Sequence, residues 1–115
     1  MRLGFEAACE SFGVTSSCVL SCEIDKHCCR VYAKRFQGET PYPDIRQLAP
    51  KAQTMSDFDV LLAGFPCQPF SRAGKVMGFE DTRGTLFFDL ATIIREKRPK
   101  AFLLENVSNL VSHGR

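Results

Sequence analysis

Residues 58–74, FDVLLAGFPCQPFSRAG, decide how the chain is read. The stretch 58–64 is a short continuous apolar run ending in glycine, which suits a strand buried in a parallel sheet. Cys67 follows, between Pro66 and Gln68, ahead of a polar stretch to about residue 83 that contains Gly74 and Gly78 and has no clear periodicity. Two readings of Cys67 compete: an inert, half-buried thiol, or a nucleophile presented at the mouth of a strand.

Downstream of this stretch, TLFFDLATIIREK (85–97) places Leu86, Leu90, Ile93 and Ile94 on one helical stripe, and Pro99 stops it. AFLLEN (101–106) reads as a second apolar strand. Upstream, LGFEAACESF (3–12) sets Leu3, Ala7, Ala8 and Phe12 at helical spacing, with Gly13 as a stop. Residues 17–22 read as a strand ending at Glu23. Asp25 then caps a helix, KHCCRVYAKRF (26–36), with Cys28, Val31, Tyr32 and Phe36 on one face and Gly38 beyond its end. The stretch ETPYPDIRQL (39–48) is turn-rich, with a short strand expected near Asp44 and Ile45. Helices alternating with apolar strands imply an α/β chain, a parallel sheet with helices on both faces. In such sheets ligands bind beyond the carboxyl ends of the strands. Glu23, Cys67 and Glu105 all fall at those ends, with Asp44 a further candidate, so a thiol and carboxyl groups converge on one rim.

Composition narrows the class. The chain has 115 residues, 44% hydrophobic, with a formal net charge of +2, enough for one small domain and too mildly basic to argue nucleic-acid binding by itself. No run approaches the ~18 apolar residues of a membrane span. The cysteines Cys9, Cys18, Cys22, Cys28, Cys29 and Cys67 sit in a chain of globular hydrophobic content, so they are expected as reduced thiols in a cytoplasmic protein. Cys18 and Cys22 have a spacing loosely like that of zinc ligands. On a strand they fall too far apart to hold one ion, at a rise of roughly 3.3 Å per residue, so small core residues and no metal are expected. A cysteine hydrolase lacks support, because neither His27 nor His113 lies in a motif that pairs with Cys67.

The run GFPCQPFSRAGKVMGFEDTRGTLFFDLATIIREKRPKAFLLENVSNL (64–110) resembles the central part of the DNA cytosine-5 methyltransferases. PCQ (66–68) is similar to that family's nucleophile motif, ENV (105–107) to its acidic motif, and RGTLFFDL (83–90) to the segment between them. SCEIDK (21–26) and PDIRQL (43–48) resemble the pieces that hold the cofactor's ribose and adenine. The matches come in the family's order and cover nearly the whole chain.

The resemblance implies a Rossmann-like S-adenosylmethionine-dependent methyltransferase fold. It implies Cys67 adding to carbon 6 of a flipped cytosine in double-stranded DNA, with Glu105 as the protonated partner of ring nitrogen 3 and the exocyclic amine. Carbon 5 then takes the methyl group, and loss of its proton expels the cysteine. Gln68, Ser71, Arg72, Lys75 and Arg83 would contact DNA from a loop that closes over it. For S-adenosylmethionine, Glu23 would take the ribose hydroxyls, Ile24 would pack on the adenine, Asp44 would accept from its exocyclic amine, and Ile45 would read the adjacent edge. Leu86 would complete the adenine pocket and Pro66 would face the cofactor. A bacterial cytoplasmic or nucleoid-associated enzyme of a restriction-modification system is expected. The family's glycine-rich F-x-G-x-G turn and its regions after ENV have no counterpart in residues 1–115, so the reading is a partial catalytic domain, incomplete at both ends. Its alternative is an inactive remnant, or one subunit of a split enzyme that binds a complementing chain.

Overall fold

The computed structural model describes residues 1–65 and 86–106. They form helices α1 (Arg2–Ser11), α2 (Lys26–Arg35), α3 (Ile45–Leu48) and α4 (Leu86–Lys97), a 3-10 helix (Ala49–Thr54), and strands β1 (Val60–Gly64) and β2 (Ala101–Glu105). β1 and β2 pair in parallel, from Val60 opposite Ala101 to Gly64 opposite Glu105. A parallel pair needs a crossover between its strands, and α4 lies in that crossover. The chain is thus α/β with a small parallel sheet, as the alternating pattern implies.

The core sits where α4 packs on α3 and the 3-10 helix. Leu48, Ala49, Ala52 and Ile93 are buried together, and Tyr42, Ile45, Met55 and Phe58 pack around them. The stripe expected on α4 holds: Leu90 and Ile93 are buried, while Leu86 and Ile94 are half-buried. Lys97 reaches back from the end of α4, its Nζ donating to the Met55 carbonyl at 2.6 Å and pairing with Asp57 at 2.5 Å. That contact fastens the helix to the chain entering β1.

Capping follows the sequence closely. The Asp25 carboxylate accepts from the backbone N–H groups of His27 and Cys28, both at 2.8 Å, and starts α2. α2 ends with Gly38 at φ 88°, its N–H bonded to the Ala33 carbonyl at 2.8 Å, a left-handed position that favours glycine.

Four expectations need correction. The strand at 17–22 is reduced to one parallel bridge, Cys22 opposite Tyr42. Tyr42 lies between Pro41 and Pro43, and prolines have no N–H to extend a ladder. The short strand near Asp44 and Ile45 is instead the start of α3, because Asp44 accepts from the Arg46 N–H at 2.9 Å and caps a helix. Cys18 is half-buried and Cys22 exposed, so they are not the small core residues expected of a covered strand. Both N-terminal helices are rotated from the expected face. Along α1 and its C-cap, Leu3, Ala7, Ala8 and Phe12 are exposed while Arg2, Phe5, Glu6 and Cys9 turn inward; along α2 and its C-cap, Cys28 and Val31 are exposed while Cys29, Tyr32, Ala33 and Phe36 turn inward.

A polar knot sets that rotation. The Arg2 guanidinium donates to Glu6 at 2.6 Å, to both oxygens of Glu39 at 2.6 and 3.1 Å, and to the Tyr32 hydroxyl. It also lies 3.7 Å from the centre of the Phe36 ring. Among the described residues no helix is long and apolar enough to cross a membrane.

Candidate active site at the strand ends

Two clusters of predicted site residues occupy the ends of the paired segments. The first surrounds the Cys22–Tyr42 bridge. Glu23 follows that bridge directly, its backbone N–H donating to the Tyr42 carbonyl at 2.9 Å. Its carbonyl accepts from the Cys29 thiol at 3.2 Å, and its Oε1 accepts from the Asp25 N–H at 2.8 Å. The half-buried carboxylate is therefore held by main chain, and among the described residues nothing donates to Oε2. Ile24 stands beside it, 65% exposed, an apolar side chain facing solvent next to an acid.

Asp44 lies two residues past Tyr42, so the bridge carries both acids to the same end. Arg46 forks onto its carboxylate, Nη2 to Oδ2 at 2.7 Å and Nε to both oxygens at 3.1 Å. That guanidinium, then the Arg46 N–H, holds the Asp44 carboxyl below the usual carboxylate range. The Cys22 thiol is pushed up to about 11, by desolvation first and then by the negative charges of Asp44 and Glu23. A thiol so raised is a poor nucleophile at neutral pH. Ile45 is half-buried against the core cluster. Leu86 opens α4 and shares its first turn with Asp89, and α4 packs on α3, the helix that Asp44 caps. The Asp89 carboxyl is raised, by desolvation first, with Arg46 opposing and Asp44 adding.

The second cluster closes the β1–β2 pair. Glu105 is the last residue of β2 and stands opposite Gly64. Its carbonyl accepts from the Phe65 N–H at 3.4 Å, and the Asn106 side-chain amide donates to the Phe65 carbonyl at 2.9 Å. Both bonds tie the chain leaving β1 to the Glu105–Asn106 end of β2. A Cβ on Gly64 would come within 3.3 Å of Glu105 Oε2, so the glycine leaves the carboxylate its space. Gly64 and Asn106 join the candidates at this strand end, and the sequence reading did not single them out. The strand-final glycine and the asparagine after the glutamate were visible, but only the register brings them together.

Cys67, Pro66, Gln68, Ser71, Arg72, Lys75 and Arg83 lie outside the described residues. Of the remaining candidates, Glu23, Ile24, Asp44 and Ile45 flank the Cys22–Tyr42 bridge, Leu86 opens α4, which packs on α3, and Glu105 ends β2. A cavity of about 300 Å³ lined by His27, Arg30, Val31 and Lys34 is the open outer face of α2, and no candidate residue lines it. Among the described residues no three His, Cys, Asp or Glu side chains come together as a metal-ligand group.

Comparison with known proteins accounts for the whole chain. The family described as C-5 cytosine-specific DNA methylase matches residues 1–115. The chain is 54% identical over all 115 residues to the type II methyltransferase M.BanI of Aneurinibacillus aneurinilyticus, of which it covers 26%. It is 55% identical over 115 residues to the type II methyltransferase M.HgiCI of Herpetosiphon aurantiacus, again covering 26% of that protein. To the type II methyltransferase M.HhaI of Haemophilus parahaemolyticus it is 54% identical over 110 residues, 96% of this chain and 32% of that one. The chain thus spans about a quarter to a third of the length of the curated relatives it matches.

Proposed function

Because this chain belongs to the C-5 cytosine-specific DNA methylase family, we propose that it is the catalytic part of a DNA cytosine-5 methyltransferase of Rossmann-like fold. The observation that carries the reading is the parallel end of β1 and β2. There Glu105 lies opposite Gly64, and Phe65, which leads into Pro66–Cys67–Gln68, is bonded to Glu105 and Asn106.

In this reading the Cys67 thiolate adds to carbon 6 of a cytosine turned out of double-stranded DNA, forming the C–S bond and giving carbon 5 enamine character. Glu105, as the neutral acid, donates to ring nitrogen 3, and its other oxygen accepts from the exocyclic amine. This offsets the charge that develops on the ring. Once carbon 5 carries the methyl group, its proton leaves to a base, the C5–C6 double bond reforms and the C–S bond breaks. Gln68, Ser71, Arg72, Lys75 and Arg83 are assigned to DNA.

The first cluster fits S-adenosylmethionine by its donor set. Glu23 has a carboxylate oxygen to offer the ribose hydroxyls, and exposed Ile24 offers an apolar face to the adenine. Asp44 with Ile45 and Leu86 would frame the adenine edge, and Pro66 would face the same ligand. When bound, S-adenosylmethionine supplies the methyl group.

Trapping tests the nucleophile. DNA carrying 5-fluorocytosine at the target, incubated with methyl donor, should accumulate a covalent adduct, because fluorine cannot leave as a proton does. Cys67→Ser should form none, and equal trapping by the serine variant would remove Cys67 from the mechanism.

A second reading draws on exposed apolar residues. Phe102 and Leu103 of β2 are more than half exposed, and Val19 lies open in the segment leading to Glu23. Such side chains suit a chain that acts only with a complementing partner. Tritium transfer to DNA should then be absent with the 115-residue chain alone and appear when the rest of a relative's catalytic domain is supplied separately. Full transfer by the isolated chain would defeat this second reading.

A further inference from the structure

We propose that Arg46 is a positioning residue for the methyl donor, holding the Asp44 carboxylate in one orientation for the adenine amine. The inference rests on the assignment of Asp44 to the cofactor.

The geometry is asymmetric. The Asp44 side chain is 14% exposed and that of Arg46 60%, so the acid is the fixed, inward partner and the arginine covers it from solvent. Each hydrogen bond that Asp44's carboxylate accepts from the described residues comes from residue 46: the N–H to Oδ1 at 2.9 Å, Nε to both oxygens at 3.1 Å, and Nη2 to Oδ2 at 2.7 Å. Because Nε is shared between the two oxygens, three N–H groups of residue 46 meet a carboxylate that has about four lone-pair positions in its plane, which leaves one for a further donor. The backbone bond alone leaves the group free to turn about its own axis. The planar guanidinium, meeting both oxygens, fixes that plane.

Charge gives Arg46 a second task. α3 packs against α4, whose first turn carries Asp89, and that carboxyl feels Arg46 as a stabilising and Asp44 as a destabilising charge. Glu23 adds its charge around Cys22, where the field of Asp44 is also felt. Arg46 thus sets a positive charge against Asp44 and within the field of Asp89. Without it, Asp44 has lost both its fixed plane and its counter-charge toward Asp89.

The test uses this chain in the assembly that transfers methyl groups. Arg46→Met should raise KM for S-adenosylmethionine about tenfold, the size of one charged hydrogen bond, and leave kcat within about twofold. Arg46→Lys keeps the charge without the fork and should restore only part of the loss. Asp44→Asn should raise KM by itself, and adding Arg46→Met to it should cost nothing more. A fully additive double variant, or a fall in kcat with KM unchanged, overturns the role of Arg46. An unchanged KM in Asp44→Asn instead overturns the cofactor assignment of Asp44. Carbon-13 titration of the Asp44 carboxyl in the ligand-free chain gives a readout apart from activity. Its midpoint should move up in Arg46→Met, and a midpoint that stays put also overturns the proposal.

Discussion

The half of the molecule built from α3, the 3-10 helix, α4 and the two strands has a buried core among its helices, whereas α1 and α2 bury no residue and meet at one arginine. Among the described residues, the buried Leu48, Ala49, Ala52, Leu90 and Ile93 all belong to the first half. α1 and α2 contain no buried residue. Their junction is Arg2, bonded to Glu6, Glu39 and Tyr32 and stacked on Phe36. Burial is non-directional and tolerates small shifts. A polar knot needs its geometry and loses most of its worth when one member is removed. Each half also carries part of the proposed chemistry: Glu105 and the Asp44 group stand on the packed half, Glu23 and Ile24 at the entrance to α2.

The packed half is most sensitive at Ile93, which is 2% exposed. Ile93→Ala should lower stability by about 2–4 kcal/mol, since large-to-small changes in a core remove transfer energy and leave a cavity. Urea unfolding followed at the far-UV helix signal measures it. Amide protection should fall across α3 and α4, and a loss confined to α1 and α2 would show that Ile93 does not hold the packed half.

Arg2→Met should give the opposite pattern. It keeps an apolar stem to lie on Phe36 and removes every charged bond. A local cost of about 1–2 kcal/mol is expected, the range for charged hydrogen bonds discounted for partial exposure. Hydrogen exchange should quicken in α1 and in the chain around Glu39, while α4 keeps its protection. Equal loosening of both halves would show that they fold as one unit.

The smallest effect sharpens the same contrast by pH. The Asp25 carboxyl is held below its ordinary value by the N–H groups of Cys28 and His27. A carboxyl with a lowered folded-state pKa stabilises the fold above its unfolded value of about 3.9, and that contribution is lost as pH falls through the folded value. Amide exchange at His27 and Cys28, corrected for its intrinsic pH dependence, should therefore rise as the solution is acidified below about pH 4. Asp25→Asn still accepts a hydrogen bond but does not titrate, and it should flatten that step. An acid step that persists in Asp25→Asn would move its origin to Glu39 or Asp44, whose carboxyls are lowered by Arg2 and Arg46.

What the sequence determined by itself was local or strongly periodic. The strands around 60–64 and 101–105, the α4 stripe with its stop at Pro99, the Asp25 cap and the Gly38 terminus all depend on neighbours within a few residues. Motif order likewise carried the family and the candidates Glu23, Asp44 and Glu105. Tertiary structure decided the rest. A strand exists only with an edge to bond, so 17–22, facing Tyr42 between two prolines, keeps a single bridge. A helix buries whichever face its neighbour holds, so α1 turns Arg2 inward and leaves Leu3 and Phe12 in solvent. The short strand expected near Asp44 gives way to a helix start because the Arg46 N–H and guanidinium meet the Asp44 carboxylate. The partnership of Glu105 with Gly64, Phe65 and Asn106 depends on parallel register across the α4 crossover, a relation between residues about forty apart that no local pattern encodes.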